Sequence, residues 1–355
     1  MSRYQGARLS TLSPYTPGEQ PRDAKYVKLN TNESPFEPSE KAQKLAAEAA
    51  GRLQLYSDPT CRVLVDKLAE VYGVDADEVI VTNGSDEVLD FAFQAFCDED
   101  VSARFPDITY GFYPVFAARN GIPYETVALR DDFTIDIEQY FGVGKTIFIA
   151  NPNAPTGIAL SRDEIEQILI HNKDNVVVID EAYVDFGGES CVPLIGQYDN
   201  LLVTQTFSKS RSLAGGRLGF GIGNRSLIAD LHTIRYSTNP YNVNSMTAAA
   251  GYGVLCDEGY TRANCQAIME NRAWTTLELA KRGFELTESK TNFIFAKHPG
   301  IDGGRLYAEL KARGVLVRHF TADRIRDYNR ITVGKREQME RLLQAIDEIL
   351  TRCPQ

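Results

Sequence analysis

Long apolar runs are missing from this sequence. No stretch approaches ~18 uninterrupted apolar residues, too little to build a membrane-spanning helix. Residues 1–20 are polar and carry no apolar segment of the kind a secretory signal needs, so a cytoplasmic setting is expected. Histidine is scarce: His171, His232, His298 and His319 share no metal-ligand spacing, and no metal is expected. The six cysteines, Cys61, Cys97, Cys191, Cys256, Cys265 and Cys353, include no Cys-x-x-Cys pair. They read as reduced thiols rather than as a metal or redox framework. An excess of positive charge is also absent: Lys plus Arg is 38 against 48 for Asp plus Glu, a net charge of −10. A chain this acidic is a poor general binder of nucleic acid or anionic membrane. Any anionic ligand must be caught locally, by a few cations and backbone N–H groups in a pocket.

What is present suits a soluble globular protein. The 355 residues are 43% hydrophobic and 24% charged, enough for one large α/β domain plus a smaller one. Residues 1–35 form an arm with Pro14, Pro17, Pro21 and Pro35. Helical periodicity runs from about Ser39 to Leu53 and from Arg62 to Tyr72. Then short apolar runs alternate with amphipathic segments: Val79–Thr82, Tyr124–Leu129, Thr146–Ala150, Val176–Ile179, Leu201–Thr204 and Leu218–Ile222. Runs of this kind read as strands buried on both faces, and their alternation with helices predicts a mostly parallel sheet. A long helix is expected over Gly259–Gly283, around the single Trp274. A second α+β unit follows, with strands Asn292–Ala296, Val315–Arg318 and Arg330–Val333 and helices Arg305–Arg313 and Glu337–Arg352. The expected division is an arm over 1–38 that joins the small domain, a large domain over 39–270 and a small α+β domain over 271–355.

Four segments at strand ends carry chemistry. Thr206-Phe-Ser208-Lys209-Ser-Arg-Ser-Leu-Ala-Gly-Gly-Arg217 follows the run Leu201–Thr204. A lysine there, flanked by hydroxyls and followed eight residues later by an arginine, suits an anionic ligand and an amine nucleophile. The plain alternative is a solvated lysine after a strand. Val176-Val-Val-Ile-Asp180-Glu-Ala-Tyr183 ends an apolar run in an acid. That carboxylate can hold a pyridine nitrogen protonated, or it can merely cap the next turn. Thr82-Asn-Gly84-Ser85-Asp86 opens a helix, where free N–H groups and the helix dipole favour a phosphate. Ordinary capping by Ser85 or Asp86 would leave the same pattern. Asn151-Pro-Asn153-Ala154-Pro-Thr-Gly157 is a rigid turn that brings polar groups to the same sheet edge, or a ligand-free loop. The run Gly219-Phe-Gly221-Ile-Gly223 lacks dinucleotide-loop spacing and reads as strand packing.

Together these segments resemble fold-type I pyridoxal-phosphate (PLP) aminotransferases of the aspartate aminotransferase superfamily. More narrowly the chain resembles the histidinol-phosphate aminotransferase family, from Leu29-Asn-Thr-Asn32-Glu33 through Tyr56-Ser-Asp-Pro59 and Thr109-Tyr110-Gly111 to Arg330-Ile-Thr-Val-Gly334. The resemblance implies a mostly parallel seven-stranded sheet in the large domain. It implies PLP as cofactor, histidinol phosphate and glutamate/2-oxoglutarate as substrates, and a homodimer. It also implies roles. Lys209 binds the cofactor covalently and shuttles a proton, Asp180 pairs with the pyridinium nitrogen, Tyr183 bonds the phenolic oxygen, and Tyr110 stacks on the ring. Gly84, Ser85, Asp86, Thr206, Ser208 and Arg217 seat the phosphate, and Tyr56 reaches the partner subunit's cofactor. Arg318 and Arg330 bind the substrate anion, with Tyr15 and Asn32 beside them. One position departs from many relatives: Ala154 stands where an asparagine contacts the phenolic oxygen. Either Asn153 takes that contact or Tyr183 carries it alone. An aromatic amino acid aminotransferase and a PLP-dependent phosphothreonine decarboxylase share most of these motifs.

Overall fold

The computed structural model describes residues 2–6, 9, 12–21 and 25–352. In chain order, β1 (Val27–Lys28) belongs to the N-terminal arm. The strands β2 (Val79–Thr82), β3 (Ala103–Pro106), β4 (Tyr124–Val127), β5 (Thr146–Ala150), β6 (Val177–Asp180), β7 (Leu201–Thr206) and β8 (Gly219–Gly223) form one sheet, ordered β2-β8-β7-β6-β5-β3-β4. Only β8 runs antiparallel to its neighbours, β2 and β7; the other pairs are parallel. The expected mostly parallel seven-stranded sheet is present. Strands β2, β5, β6, β7 and β8 are buried along their whole length, as continuous apolar runs require.

Two strands differ from the sequence reading. The run Tyr124–Leu129 is not buried on both faces: β4 stops at Val127 and is an edge strand with its first three residues exposed. The edge has one neighbour, so polar Glu125 and Thr126 are tolerated, and Glu125 pairs with Arg104 at 3.1 Å. Strand β3 was not expected. Its Ala-Arg-Phe-Pro sequence hides the pattern, because an arginine and a proline interrupt so short a run. The helix Ser245–Leu255 was not expected either; its residues are apolar on most sides and leave no period to read.

The remaining strands are β9 (Glu285–Leu286), β10 (Phe293–Lys297), β11 (Val315–Leu316), β12 (Arg318–His319) and β13 (Asn329–Thr332). An antiparallel sheet has the order β12-β13-β10-β9, while β11 pairs in parallel with β1. The single strand expected over Val315–Arg318 is therefore split at Val317 because its two halves have different partners. The arm is tied down by backbone bonds: Val27 N–H donates to Gly314 and Leu29 N–H to Leu316, both at 2.8 Å. Thr332 N–H then donates to the Leu29 carbonyl at 2.9 Å. This pairing delivers residues 29–33 to the carboxyl edge of the large sheet.

Buried aromatic and aliphatic side chains fill the space between sheet and helices, with Phe93 stacked on Phe148 at 4.0 Å. Each such side chain stabilises the fold by roughly 1.5–3 kcal/mol on burial. Cys61, Cys97, Cys191, Cys256 and Cys265 are free thiols, and Cys353 lies outside the described residues. Among the described residues no cluster of His, Cys, Asp or Glu is arranged to hold a metal, and no helix is long and apolar enough to cross a membrane.

Candidate active site

Ligands of an open α/β sheet sit beyond the carboxyl ends of its strands, and the four motif segments leave the sheet at that edge. After β2, Gly84 takes φ +85° and starts the helix Ser85–Phe96. A side chain at Gly84 would be strained and would come 2.7 Å from the Arg217 guanidinium. On β8, Gly219 lets the sheet approach this turn, since a Cβ there would lie 2.1 Å from the Ser85 nitrogen. The two glycines thus make room for a bare helix N-terminus, an anion seat.

Asp180 ends β6 and is 5% exposed. It accepts from the Tyr113 hydroxyl at 3.2 Å, from Ala182 N–H at 3.3 Å and from the Thr204 hydroxyl at 3.4 Å. Burial, and then the charge of Asp86, push its carboxyl up to about 6. Such a group gains from a cation brought to it. Tyr113 is fully buried, and burial followed by the Asp180 charge holds its phenol protonated well above the usual range. Tyr110 donates to Asp86 at 2.7 Å and meets Tyr113 edge-on at 5.7 Å.

Lys209 follows β7. Its Nζ donates to the Thr31 carbonyl at 3.3 Å and lies 5.7 Å from the centre of the Tyr183 ring. Arg217 turns back through φ +52°, placing Nη2 3.3 Å from Asp86 and Nη1 3.4 Å from the Ser208 hydroxyl. Both bonds are long and the side chain is half exposed, so the guanidinium stands near the seat without being committed. A cavity of about 270 Å³ is lined by Ser85, Asp86, Asp180, Thr206, Ser208 and Arg217. A second, of about 350 Å³, is lined by Tyr15, Asn32, Arg318, Phe320 and Arg330. Thr31, Tyr110, Ala154, Tyr183 and Lys209 line both, so the two meet at the lysine.

In the second cavity Arg318 and Arg330 are register partners of β12 and β13. Arg330 is half-buried, and desolvation draws its pKa below the usual arginine value. One Nη donates to the Asn30 carbonyl at 3.2 Å, while the buried Nε has no partner among the described residues. Phe293 and Phe320 lie 5.3 and 5.8 Å beneath the guanidinium. An orphaned buried donor of this kind asks for an anion. Arg318 differs: it donates to the carbonyls of Thr16 at 3.0 Å and Pro17 at 3.1 Å, and so tethers the arm. Tyr15 packs on Phe112 at 4.4 Å beside Gly111.

Two expected residues stand elsewhere. Asn153 spends its amide on the Ile108 carbonyl at 2.9 Å and Thr156 at 3.0 Å, and its oxygen accepts from Thr109 at 2.8 Å. It lines a separate cavity behind the loop, so the idea that it replaces the asparagine missing at Ala154 is corrected: the turn uses up its hydrogen bonds. Tyr56 is 83% exposed, stacks on Tyr241 at 4.7 Å and lines neither cavity. Residues that sequence reasoning passed over include Tyr113, Thr204, Thr31, Phe320 and Thr332. Thr204 had a signal, since it is the polar end of the apolar run Leu201–Thr204, and the structure sets it in register with Asp180. Tyr113 had a weaker one, three residues after Tyr110 at the start of a helix.

A lysine amine, a buried strand-end acid and a bare helix N-terminus at one sheet edge define a class of protein. The family model for class I and II aminotransferases matches residues 24–346, and the chain belongs to that family. Within it, histidinol-phosphate aminotransferase 1 of Bordetella parapertussis is 48% identical over 355 residues, covering 99% of this chain and 100% of the relative. Histidinol-phosphate aminotransferase of Brachyspira hyodysenteriae is 45% identical over 352 residues, covering 99% of each. The crystal structure of histidinol-phosphate aminotransferase from Sinorhizobium meliloti in complex with pyridoxal-5′-phosphate has the same fold, with TM-score 0.90 at 22% identity over 100% of this chain and 99% of that one.

Proposed function

We propose that this aminotransferase moves an amino group reversibly between histidinol phosphate and 2-oxoglutarate, yielding imidazole acetol phosphate and glutamate, with PLP as cofactor. This is a step of histidine biosynthesis. The observation that carries the reading is that Lys209 stands where two cavities meet, one ending on Asp180 and a phosphate seat, the other on the orphaned Nε of Arg330. The first cavity fits the cofactor by its donor set. Ser85, Asp86, Thr206, Ser208 and Arg217 gather around an anion seat, and Asp180 is a buried acid with no ion pair among the described residues. When bound, the cofactor supplies an electron sink for the substrate's Cα.

The chain's own residues do the rest. Lys209 would hold the cofactor through its amine and would carry the proton to and from the substrate's Cα. Asp180 would keep a pyridine nitrogen charged, Tyr110 would cover the ring, and Tyr183 would donate to the phenolic oxygen. Arg330, with Arg318, Tyr15 and Asn32 around it, takes the substrate anion. Histidinol phosphate offers a phosphate and glutamate two carboxylates; a guanidinium fork matches either geometry.

The partners in this reading are small molecules and a second copy of the chain, with neither nucleic acid nor membrane, in the cytoplasm. Leu55, Tyr56 and Val63 are exposed around an apolar groove of about 490 Å³, which supports a homodimer in which Tyr56 reaches the partner's cofactor. The arm, large and small units are read as 1–38, 39–270 and 271–355. The test is a substrate panel measured as kcat/KM. Histidinol phosphate should exceed phenylalanine and tyrosine by at least ~10-fold, the difference expected from one good charge contact. Equal turnover of the aromatic amino acids, or release of carbon dioxide from phosphothreonine, would overturn the assignment.

A further inference from the structure

The wall of the cavity at position 154 is a methyl group, which offers no hydrogen bond. Behind that wall lies a hydrogen-bonded ring whose proton directions can all be worked out. Asn32 is 1% exposed and sits at φ +56°, in the left-handed region. Its backbone N–H donates to the Thr332 hydroxyl at 2.9 Å. That hydroxyl therefore turns its own proton to the Asn32 side-chain oxygen, 3.1 Å away. With its oxygen engaged, the carboxamide has its nitrogen toward Tyr183 and donates to the phenolic oxygen at 2.9 Å. The Tyr183 oxygen is an acceptor in this bond, so its proton must point elsewhere. Among the described residues no protein acceptor is placed to receive it, and Tyr183 lines both cavities. The proton is left for a ligand.

We infer that Asn32 is a positioning residue that forces the Tyr183 hydroxyl to act as a donor into the cofactor cavity, at a wall where Ala154 offers no hydrogen bond. The inference rests on the reading that Tyr183 meets the phenolic oxygen of PLP. Three distant segments cooperate: the arm supplies Asn32, β13 supplies Thr332, and the turn after β6 supplies Tyr183. Thr332 lies two residues beyond Arg330 on the same strand, so the anion-binding and proton-directing parts share one support. Without Asn32, or with its carboxamide reversed, the Tyr183 hydroxyl can rotate and its donation to the cavity weakens.

The test uses the full chain loaded with PLP and follows the absorbance of the bound chromophore against pH. A donor at the phenolic oxygen favours its anionic form, which lowers the pH at which the Lys209–cofactor linkage gives up its proton. Asn32→Gly, which keeps the left-handed backbone, should raise that midpoint by about one unit, a tenfold change in proton affinity. The same substitution in a Tyr183→Phe background should move it little. Thr332→Val, which removes the donor that orients Asn32, should shift the midpoint in the same direction and serves if Asn32→Gly fails to fold. An unchanged midpoint in both single variants overturns the inference. So does a shift of equal size with and without the Tyr183 hydroxyl, since Asn32 would then act by another route. If the unsubstituted chain binds PLP but shows no chromophore lost in Lys209→Ala, the cofactor reading itself fails and this inference falls with it.

Discussion

The two cavities that meet at Lys209 are built in opposite ways. The cofactor side is made mostly of neighbouring strand ends of one sheet, with Thr31 and Glu33 of the arm at its rim. Its polar groups come in short contiguous pieces, 82–86, 180–183 and 206–217, and the register of β6 and β7 sets Asp180 beside Thr204. The substrate side adds to the large-domain segments 107–111 and 154–155 pieces of the arm and the C-terminal third, joined by bonds such as Asn32 to Thr332 across 300 residues. The first is as rigid as the sheet core. The second exists only after the chain ends have met, with the loop-closure cost that implies. Chemistry should therefore be concentrated on the first side, while recognition depends on how well the second is docked.

Lys209 gives the largest effect. Lys209→Ala should cut kcat by at least ~10³-fold, because it removes both the covalent anchor and the proton carrier. Borohydride reduction and peptide mapping should label Lys209, and a label on any other lysine would break the assignment of sides. Asp180→Ala should keep some PLP binding but lower kcat by roughly 10²–10³-fold, since the ring loses its buried counter-charge. Near-normal turnover in that variant would show that the cofactor side does not carry the chemistry.

On the substrate side, Arg330→Ala should lose roughly 2–4 kcal/mol of kcat/KM toward phosphate and carboxylate partners alike. A loss confined to one of them would mean the anions use separate seats. Arg318→Ala should cost only about 1 kcal/mol, because its guanidinium is already engaged by Thr16 and Pro17. Its clearer signature is faster proteolysis within residues 12–21. Equal losses at the two arginines would erase the distinction between recognition and docking.

A pH experiment sharpens the contrast. Asp180 is raised from 3.8 to about 6 by burial and Asp86, so in the cofactor-free fold its ionisation is unfavourable. The folded state then binds the proton more tightly than the unfolded one, and stability falls as pH rises. The penalty is absent below about 4, grows through about 6, and is constant above. It reaches about 2–3 kcal/mol at neutral pH, by the ~1.4 kcal/mol per unit of such shifts. Thermal unfolding of cofactor-free protein should thus show Asp180→Asn gaining on the unsubstituted chain as pH rises from 4 to 7. Parallel curves would refute this. Arg330→Ala should not alter the trend.

How far each side could be read follows from its construction. Lys209, Arg217, Asp180 and the Gly84-Ser85 turn were visible because each strand and its polar end form one contiguous stretch. Arg318 and Arg330 are register partners, but on β12 and β13, while the apolar run expected to end in Arg318 pairs with β1. Asn153 misled because a side chain in a tight turn can bond inward, here to Ile108 and Thr109, and nothing in the local sequence says so. The partition of Val315–His319 between two sheets was invisible for a similar reason: strand partners are chosen at long range.

By itself, the sequence determined the mostly parallel sheet, the strand-end chemistry and the kind of ligand it suits, because periodicity and short motifs are local properties. Only the tertiary structure decided which way the shared polar groups face. Arg318 is turned to the arm, Arg330 keeps an unmatched Nε, and Asn32 is locked by Thr332 so that Tyr183 can only donate into the cavity. The direction of a hydrogen bond is settled by every partner a group meets, and here those partners arrive from opposite ends of the chain.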